Sequence, residues 1–199
     1  MRTPDPDEEL VRRYLTGDPA AFASLVERHQ TRMYNLALRV LGNPEDAADA
    51  TQDAFLSALR KLKSFRGDAA FTTWMHRVTV NACYDLLRKR KRQPMLHVVG
   101  DDLPAPEPGP PAPDHADAVS GALDAAAALL RVPLDFRVVL VLADVQDMPF
   151  EEIAKMLDIP IGTVKSRAHR GRLHLAKAMG LRPAGGEPLG PPPTSKDTS

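Results

Sequence analysis

A stretch of seven prolines from Pro94 to Pro113 constrains the fold of this 199-residue chain more than any other feature. Proline fixes its own φ angle and lacks the amide hydrogen of a helix or a sheet, so the stretch cannot build a core. On both sides of it, apolar residues recur at three- and four-residue steps, the period of an amphipathic helix. The sequence therefore predicts an all-α protein with two small helical domains, an N-terminal bundle at 1–93 and a C-terminal domain at 118–180, joined by a flexible, acidic, Pro-rich linker at 94–117 and followed by a disordered tail at 181–199.

Capping residues mark the helix starts in the first half. Asp18-Pro19 and Asn43-Pro44 each combine a capping side chain with proline at the first helical position, and Gly42 ends the helix between them. Further helices are expected over Asp7–Leu15, Phe71–Lys91, Ala116–Arg131, Leu134–Val145, Phe150–Leu157 and Thr163–Met179. The positions expected to face the core are Phe22, Leu25, Val26, Met33, Leu36 and Val40, then Ala47, Phe55, Leu59 and Leu62, then Phe71, Trp74, Met75, Val78, Ala82 and Leu86.

Charge is strongly segregated along the chain, although the totals of 26 basic and 26 acidic residues cancel. Residues 60–92 carry ten basic and two acidic side chains, and residues 163–182 carry six basic and none that are acidic. Between these blocks, residues 93–120 lack Lys and Arg and contain Asp101, Asp102, Glu107, Asp114 and Asp117. Two basic blocks around an acidic spacer indicate two contacts with a polyanion.

Several functional classes find no support in the composition. The one cysteine, Cys83, excludes a disulfide framework and a cysteine-rich zinc site, and the six histidines form no metal-spaced cluster. There is no phosphate-binding loop, so we expect no cofactor, no metal and no enzymatic activity. Residues 1–13 are charged and no apolar run approaches the roughly 20 residues of a membrane helix, so we expect a cytoplasmic protein that does not insert into the membrane.

The segment Phe150–Ala168, FEEIAKMLDIPIGTVKSRA, has the pattern of a helix-turn-helix. Asp158 stands where glycine is common, so we expect Pro160-Ile161-Gly162 to form the bend. The second helix has no acidic residue, and its outer side is expected to carry Lys165, Ser166, His169, Arg170 and Arg172. A helical hairpin with a solvated basic face is the alternative, but solvated faces normally mix both signs. The pattern favours insertion into the major groove of DNA.

The predicted helix at 71–91 carries a second basic face. Arg77, Asn81, Asp85 and Arg88 repeat at helical spacing and lead into a run of five basic residues that ends at Arg92. Asn can pair with a base edge, Arg and Lys bind phosphate, and nearby aromatic side chains can stack on unpaired bases.

Three segments, taken together, resemble the extracytoplasmic-function (ECF) sigma factors of the sigma-70 family. SFRGDAAFTTWMHRVTVNACYDLLRKRKR resembles the region that recognises and melts the -10 promoter element, and NPEDAADATQDAFLSALRKLKSF resembles the polymerase-binding helix. MPFEEIAKMLDIPIGTVKSRAHRGR resembles the -35-binding helix-turn-helix. The segments follow the order of the family, the resemblance extends from about Asp7 to Gly180, and the chain looks nearest to the SigM subgroup.

The resemblance implies a promoter-specificity subunit of RNA polymerase, with the core enzyme, promoter DNA and a membrane-associated anti-sigma factor as partners. It implies contact with the polymerase clamp through Asp46, Asp49, Gln52, Asp53 and Phe55. It implies contact with a melted -10 element through Phe65, Gly67, Asp68, Phe71, Trp74, Arg77, Asn81 and Arg88. It implies contact with a double-stranded -35 element through Thr163, Lys165, Ser166, Arg167, His169, Arg170 and Arg172. The linker would thread through the basic cleft of the polymerase.

Other interpretations remain open for these features. The acidic stripe of Asp46, Asp49 and Asp53 is also typical of a solvated helix face. The linker could be a simple tether between the two domains, and Trp74 could be a core residue. The whole chain could also be a free-standing DNA-binding regulator, which would explain the helix-turn-helix but not the basic, aromatic N-terminal segment.

Overall fold

The fold is all-α, as predicted, in a computed structural model that describes residues 6–65, 67, 69–92 and 124–181. The N-terminal helices are α1 (Asp7–Leu15), α2 (Pro19–Leu41), α3 (Pro44–Lys61) and α4 (Phe71–Arg92), with a 3-10 turn, Leu62–Ser64, after α3. The C-terminal helices are α5 (124–130), α6 (Leu134–Leu140), α7 (Phe150–Leu157) and α8 (Ile161–Ala178), and a π-helical turn, Val141–Val145, extends α6. The expected linker at 94–117, the helix start at Ala116 and the tail after Leu181 lie outside the described residues.

The caps identified in the sequence begin α2 and α3. The Asp18 side chain accepts a hydrogen bond from the Ala20 amide at 3.0 Å. The Asn43 side chain accepts from the amides of Glu45 and Asp46, at 2.9 and 3.1 Å. Both side chains satisfy amides that have no partner within the first turn of a helix. Gly42 ends α2 with a φ of 78°, a backbone conformation that glycine adopts without strain.

An apolar cluster holds α1 to α4 together. Asp7 adds a polar link between the first two helices, since its carboxylate pairs with Arg28 at 2.7 Å and with His29 at 2.8 Å. Leu59 was expected in this core but is 37% exposed, because it lies on the outer edge of a groove between α2 and α3. The buried members of the cluster are Leu10, Val11, Ala21, Leu25, Met33, Phe55, Ala58, Leu62, Phe71 and Met75.

A second apolar cluster joins the N-terminal helices to the C-terminal ones. Its buried residues come from α2 to α4 (Leu36, Ala37, Val40, Ala47, Ala50, Val80 and Cys83) and from the C-terminal half (Val138, Val139, Val141, Leu142, Met148, Ile153, Met156, Val164 and Ala168). The two groups of helices on either side of the Pro-rich stretch are therefore packed against each other. Helical periodicity did not predict this contact, because it shows which face of a helix is buried but not which helix covers it.

Gly171 allows α6 and α8 to approach closely. A Cβ atom at Gly171 would lie 2.8 Å from Cγ of Leu140, which is itself almost fully buried. None of the described helices has the length and hydropathy that a membrane crossing requires.

We expect Gly171→Ala to lower the free energy of unfolding by about 1 kcal/mol or more, because overpacking a core costs more than the helix propensity gained from alanine. Gly162→Ala is the matched control, since a Cβ atom at Gly162 meets nothing within 4 Å. Urea unfolding followed by circular dichroism measures both values. Equal stabilities for the two variants would contradict the close approach.

His76 is a polar side chain buried in α4, only 3% exposed. Neither of its ring nitrogens has a hydrogen-bond partner among the described residues. Burial, together with the nearby positive charge of Arg32 and the neighbouring His29, lowers the pKa of His76 to about 4. The folded protein therefore holds a neutral imidazole at neutral pH, while the unfolded chain binds a proton near its ordinary pKa of about 6.5.

This difference in pKa predicts a loss of stability in mild acid. The contribution of neutral His76 is complete above about pH 6.5 and decreases as the pH falls towards 4, because the unfolded state takes up the proton first. Between pH 7 and pH 5 the wild-type protein should lose about 2 kcal/mol more than His76→Leu, which cannot titrate. Urea unfolding at the two pH values measures the difference, with His169→Leu as the control at an exposed histidine. Parallel pH dependence of wild type and His76→Leu would rule out the buried neutral imidazole.

Candidate nucleic-acid interface

The turn between α7 and α8 is made by Asp158, contrary to the sequence prediction. Asp158 has a φ of 55°, in the left-handed region, and the amide of Ile159 then donates to the Ala154 carbonyl at 3.1 Å. The expected bend at Pro160-Ile161-Gly162 is wrong, because α8 already begins at Ile161. Aspartate tolerates the left-handed conformation better than most residues, so it occupies the position where glycine is common.

Helix α8 has one buried and one exposed face. Val164, Ala168 and Gly171 are buried, and this face packs towards α6 and α7. The opposite face exposes four of the residues predicted to contact the -35 element, namely Lys165, Ser166, His169 and Arg170. Because two of these side chains are cationic and no acidic residue belongs to the helix, the exposed face suits a phosphate backbone and guanine edges.

Two arginines that were predicted to contact DNA instead form ion pairs with aspartates of the C-terminal half of the chain. Arg167 is half-buried and pairs with Asp135 at 3.2 Å. Arg172 pairs with Asp144 at 2.6 Å, and this hydrogen bond raises the pKa of the guanidinium further above its ordinary value. Thr163 is also half-buried. Within the described chain, Lys165 and Arg170 have no such carboxylate partner, which makes them the cations available on this face.

The outer face of α4 carries the residues predicted to contact the -10 element. Arg77, Asn81 and Arg88 are exposed, and Arg88 pairs with Asp85 at 3.3 Å. Gly67 lies in the preceding loop with a φ of 74°, and a Cβ atom there would meet nothing within 4 Å. Asp68, also predicted to contact a base, lies outside the described residues.

Three aromatic rings form a cluster at the start of α4. The Phe65 and Trp74 ring centroids are 5.4 Å apart, and Phe71 lies 5.7 Å from Trp74. Phe65 and Trp74 are half-buried, so each keeps part of its ring accessible. Phe71 is 1% exposed and packs beside His29, which confirms its predicted place in the core. Because it is buried beneath the other two rings, its ring is not accessible to a base, contrary to its second prediction.

A cleft runs beside this aromatic cluster, and its second wall comes from α7. Phe65, Trp74 and Arg77 lie on the α4 side, and Glu152, Lys155 and Met156 lie on the α7 side. The residues from α7 were missed in the sequence analysis. No signal in the sequence could have placed them there, because they approach α4 only when the two groups of helices pack together.

An apolar groove lies between α2 and α3. Its lining includes Phe22, Val26, Tyr34, Gln52, Phe55, Leu56 and Leu59. Of the residues predicted to bind polymerase, Asp49, Gln52 and Asp53 are exposed, whereas Phe55 is buried at the base of the groove. The sequence analysis missed Leu56. It lies four residues after Gln52 and three residues before Leu59, which is the spacing of residues on one face of a helix.

Asp46 departs from the prediction of an exposed acidic stripe. Its side chain is buried and forms an ion pair with Arg90 near the end of α4. This pair links α3 to the basic run of α4. The carboxylate is therefore occupied by a residue of the same chain, and the exposed acids of α3 that remain from the predicted set are Asp49 and Asp53.

The described residues contain no group of three or more His, Cys, Asp or Glu side chains able to hold a metal ion. Burial raises the pKa of the Cys83 thiol to about 12, so it stays protonated at neutral pH. The arrangement as a whole offers two exposed cationic helices, an aromatic cleft and an apolar groove, which are features of binding surfaces.

Two protein-family models match the chain. The model for sigma-70 region 2 matches residues 25–93, and the model for sigma-70 region 4 matches residues 123–175. The first range contains α3, α4 and the loop between them, and the second contains α7 and all of α8 except its last three residues.

Curated relatives match over most of their length. The ECF RNA polymerase sigma factor SigM of Mycobacterium tuberculosis strain H37Rv is 40% identical over 174 residues, which are 87% of this chain and 85% of that protein. The ECF sigma factor SigW of Bacillus subtilis strain 168 is 31% identical, over 86% of this chain and 96% of that protein.

Two solved structures have a similar fold. The structure of CnrH in complex with the cytosolic domain of CnrY matches with a TM-score of 0.64 and 25% identity, over 88% of this chain and 98% of that chain. The sigma factor RpoE of Bartonella quintana, in complex with the anti-sigma factor NepR, matches with a TM-score of 0.62 and 22% identity, over 80% and 97% of the two chains.

Proposed function

Because this chain belongs to the extracytoplasmic-function sigma factors of the sigma-70 family, which direct core RNA polymerase to promoters, we propose which of its surfaces bind promoter DNA and which binds the polymerase. The observation that carries the proposal is the pair of exposed cationic helix faces, one on each side of the Pro-rich stretch and each with its own motif. We propose one domain for each motif, at 1–93 and 118–180. One face then recognises melted DNA and the other recognises a duplex.

The C-terminal domain binds the -35 element in the major groove through α8. Lys165 and Arg170 supply the cations, while Ser166 and His169 lie beside them on the same exposed face. Arginine can donate two parallel hydrogen bonds to a guanine edge, which gives base specificity as well as affinity. Arg167 and Arg172 support this face from their ion pairs with Asp135 and Asp144, since those pairs hold α8 against the helices behind it.

The N-terminal domain binds the -10 element as single-stranded DNA. Arg77 and Arg88 contact the backbone, and Asn81 offers hydrogen bonds to one base. The half-buried rings of Phe65 and Trp74 form a surface on which an unpaired base can stack. Unstacking a base from the duplex has a free-energy cost of a few kcal/mol, and binding on such a surface offsets it.

The groove between α2 and α3 contacts core polymerase. It combines exposed apolar side chains, Leu56 and Leu59, with the exposed polar residues Asp49, Gln52 and Asp53 on the same helix. An apolar patch bordered by charged side chains is typical of a protein-protein contact site. The acidic residues are complementary to the basic clamp helices that the family resemblance implies.

The protein works as a binding subunit in the cytoplasm, without a catalytic site, cofactor or metal of its own, and an anti-sigma factor associated with the membrane holds it inactive. The solved complex of CnrH with the cytosolic domain of CnrY supports this last part, because CnrH shares the fold over almost its whole length.

We expect Arg170→Ala to reduce transcription from a promoter of this sigma factor roughly 10- to 100-fold, because a good base contact contributes about 1–3 kcal/mol. The affinity for core polymerase should not change, since Arg170 belongs to α8 and does not line the α2–α3 groove. Run-off transcription with core polymerase and a genomic promoter library measures the loss. Arg12→Ala, which removes one positive charge from α1, is the control. A fall in polymerase affinity would show that α8 had been assigned to the wrong partner.

We expect Leu56→Ser to weaken binding of core polymerase about tenfold or more, because burial of a leucine side chain contributes about 1.5–3 kcal/mol. Leu15→Ser is a closely matched control, since Leu15 and Leu56 are both 46% exposed but Leu15 lies on α1. Fluorescence anisotropy of the labelled protein titrated with core polymerase measures both affinities. If the two variants bind equally well, the groove is not the polymerase contact.

A further inference from the structure

Three cations lie where α3 ends, close in the chain to the aromatic rings at the start of α4. Arg60 and Lys61 belong to the last turn of α3, and Lys63 lies in the 3-10 turn that follows. All three residues are exposed. In the described part of the chain their side chains form no hydrogen bond or ion pair, whereas Arg12 and Arg88 each pair with a carboxylate three residues away. These three residues, the α3 cationic cluster, belong to none of the surfaces assigned above.

The turn that carries Lys63 is held in place by the core and by two hydrogen bonds. Leu62 is completely buried among the apolar residues of α1 to α4. The Phe65 amide donates to the Leu62 carbonyl at 3.1 Å, and the Ser64 hydroxyl donates to the Lys61 carbonyl at 2.7 Å. Because the core takes up Leu62, its neighbours Lys61 and Lys63 remain on the surface, within four residues of the Phe65 ring.

The helix dipole explains only part of this cluster. Cations are favoured in the last turn of a helix, where unpaired carbonyls carry a partial negative charge, and this applies to Arg60 and Lys61. Lys63 lies beyond that turn. A solvated face is the other interpretation, but on α1 such a face mixes acidic and basic residues. Residues 60–77 carry five Lys and Arg residues and a single acidic one in the sequence, so this segment concentrates positive charge.

The α3 cationic cluster continues the series of exposed groups proposed to bind DNA along α4. Arg77 and Arg88 are about 16 Å apart along the helix axis, at about 1.5 Å per residue. At the start of α4 the series reaches Trp74, and the centroid of the Phe65 ring lies 5.4 Å from that of Trp74. Both accessible rings therefore have a cation next to them in the chain, with Arg77 three residues after Trp74 and Lys63 two residues before Phe65.

The order of these groups indicates which part of the DNA meets the cluster. A base can stack on Phe65 and Trp74 only where the duplex has opened, whereas the basic run at the end of α4 suits the backbone of a duplex or a single strand. Since the -35 element is bound as a duplex, the opened part of the -10 element is the part further from it. A strand that passes the rings in the direction away from the basic run is therefore single-stranded and continues towards the start of transcription.

We propose that Arg60, Lys61 and Lys63 bind the phosphates of the single-stranded DNA that continues downstream from the base-stacking rings. The contact does not depend on the base sequence, because lysine binds phosphate as a point charge. This inference rests on the proposed function, since that function places single-stranded DNA on Phe65 and Trp74. The cluster lengthens the surface that holds the opened strand away from its complement.

The test compares two promoter fragments bound by core polymerase that carries this protein. Both contain the -35 and -10 elements of a promoter from the run-off library and a single-stranded non-template overhang. The overhang ends at the -10 element in the short fragment and extends about ten nucleotides further in the long one. Lys61→Gln combined with Lys63→Gln is the cluster variant. Arg39→Gln combined with Arg131→Gln is the matched control, since both arginines are exposed and neither forms an ion pair in the described chain.

Fluorescence anisotropy over a range of salt concentrations gives each affinity. The cluster variant should bind the long fragment about three- to tenfold more weakly than the wild type, because exposed charge contacts are individually weak, and should bind the short fragment equally well. On the long fragment, the slope of log affinity against log salt concentration should become shallower by about 1.4, since each phosphate contact of a single strand contributes about 0.7. Lys61→Arg combined with Lys63→Arg keeps both charges and should retain the wild-type values, as should the control.

A wild-type slope for the cluster variant on the long fragment would overturn the proposal, and so would an equal loss on both fragments or the same loss in the control. Weaker binding of core polymerase by the cluster variant, measured without DNA, would overturn it by assigning the cluster to the polymerase. The short fragment separates this inference from the proposed function. If the wild-type complex does not prefer the -10 element to a scrambled sequence there, both are wrong. If it does, and the cluster variant behaves as wild type on the long fragment, only the cluster is wrong.

Discussion

The burial of Val138–Leu142 on all sides is the constraint on which the rest of the structure depends. A helix that exposes no face can be stable only between two partners, and this one lies between α8 and the N-terminal helices. The first contact requires Gly171, because any side chain there would meet Leu140. The second contact brings α7 beside α4 and places α8 with its basic face outward. The outward position of the basic face of α8 therefore follows from how one short apolar helix is covered.

Electrostatics then decides which charged side chains remain available to partners. Equal numbers of acidic and basic residues allow many internal pairs, and several predicted contact residues are used in this way. Arg167 and Arg172 pair with aspartates behind α8, and Asp46 pairs with Arg90. What remains exposed on α8 is a small set centred on Arg170. A surface of this kind combines a few specific contacts with general attraction to phosphate.

Periodicity and capping rules are sufficient to predict a helix start where the capping interaction is local. The starts of α2 and α3 follow from Asp18 and Asn43, since capping is a local interaction between residues two or three positions apart. The two helices of the DNA-binding motif were also predicted, but the turn between them was placed at Pro160 rather than Asp158. The error arose because the left-handed backbone conformation was expected only of glycine. In the structure Asp158 adopts this conformation, and the chain then turns into α8.

The sequence by itself determined the all-α class, the starts of α2 and α3, the separation of charge into two basic blocks, and membership of the sigma-70 family, because each of these depends on local propensity or on a motif within a few tens of residues. Only the tertiary structure decided that the Asp46 carboxylate forms an ion pair with Arg90 and that Leu59 lines a groove. It also decided that α7 closes the cleft beside α4. The contact between α4 and α7, for example, joins residues 79 positions apart. Their partners are set by how apolar faces from different helices fit together, and the pattern within any one helix carries no information about that fit.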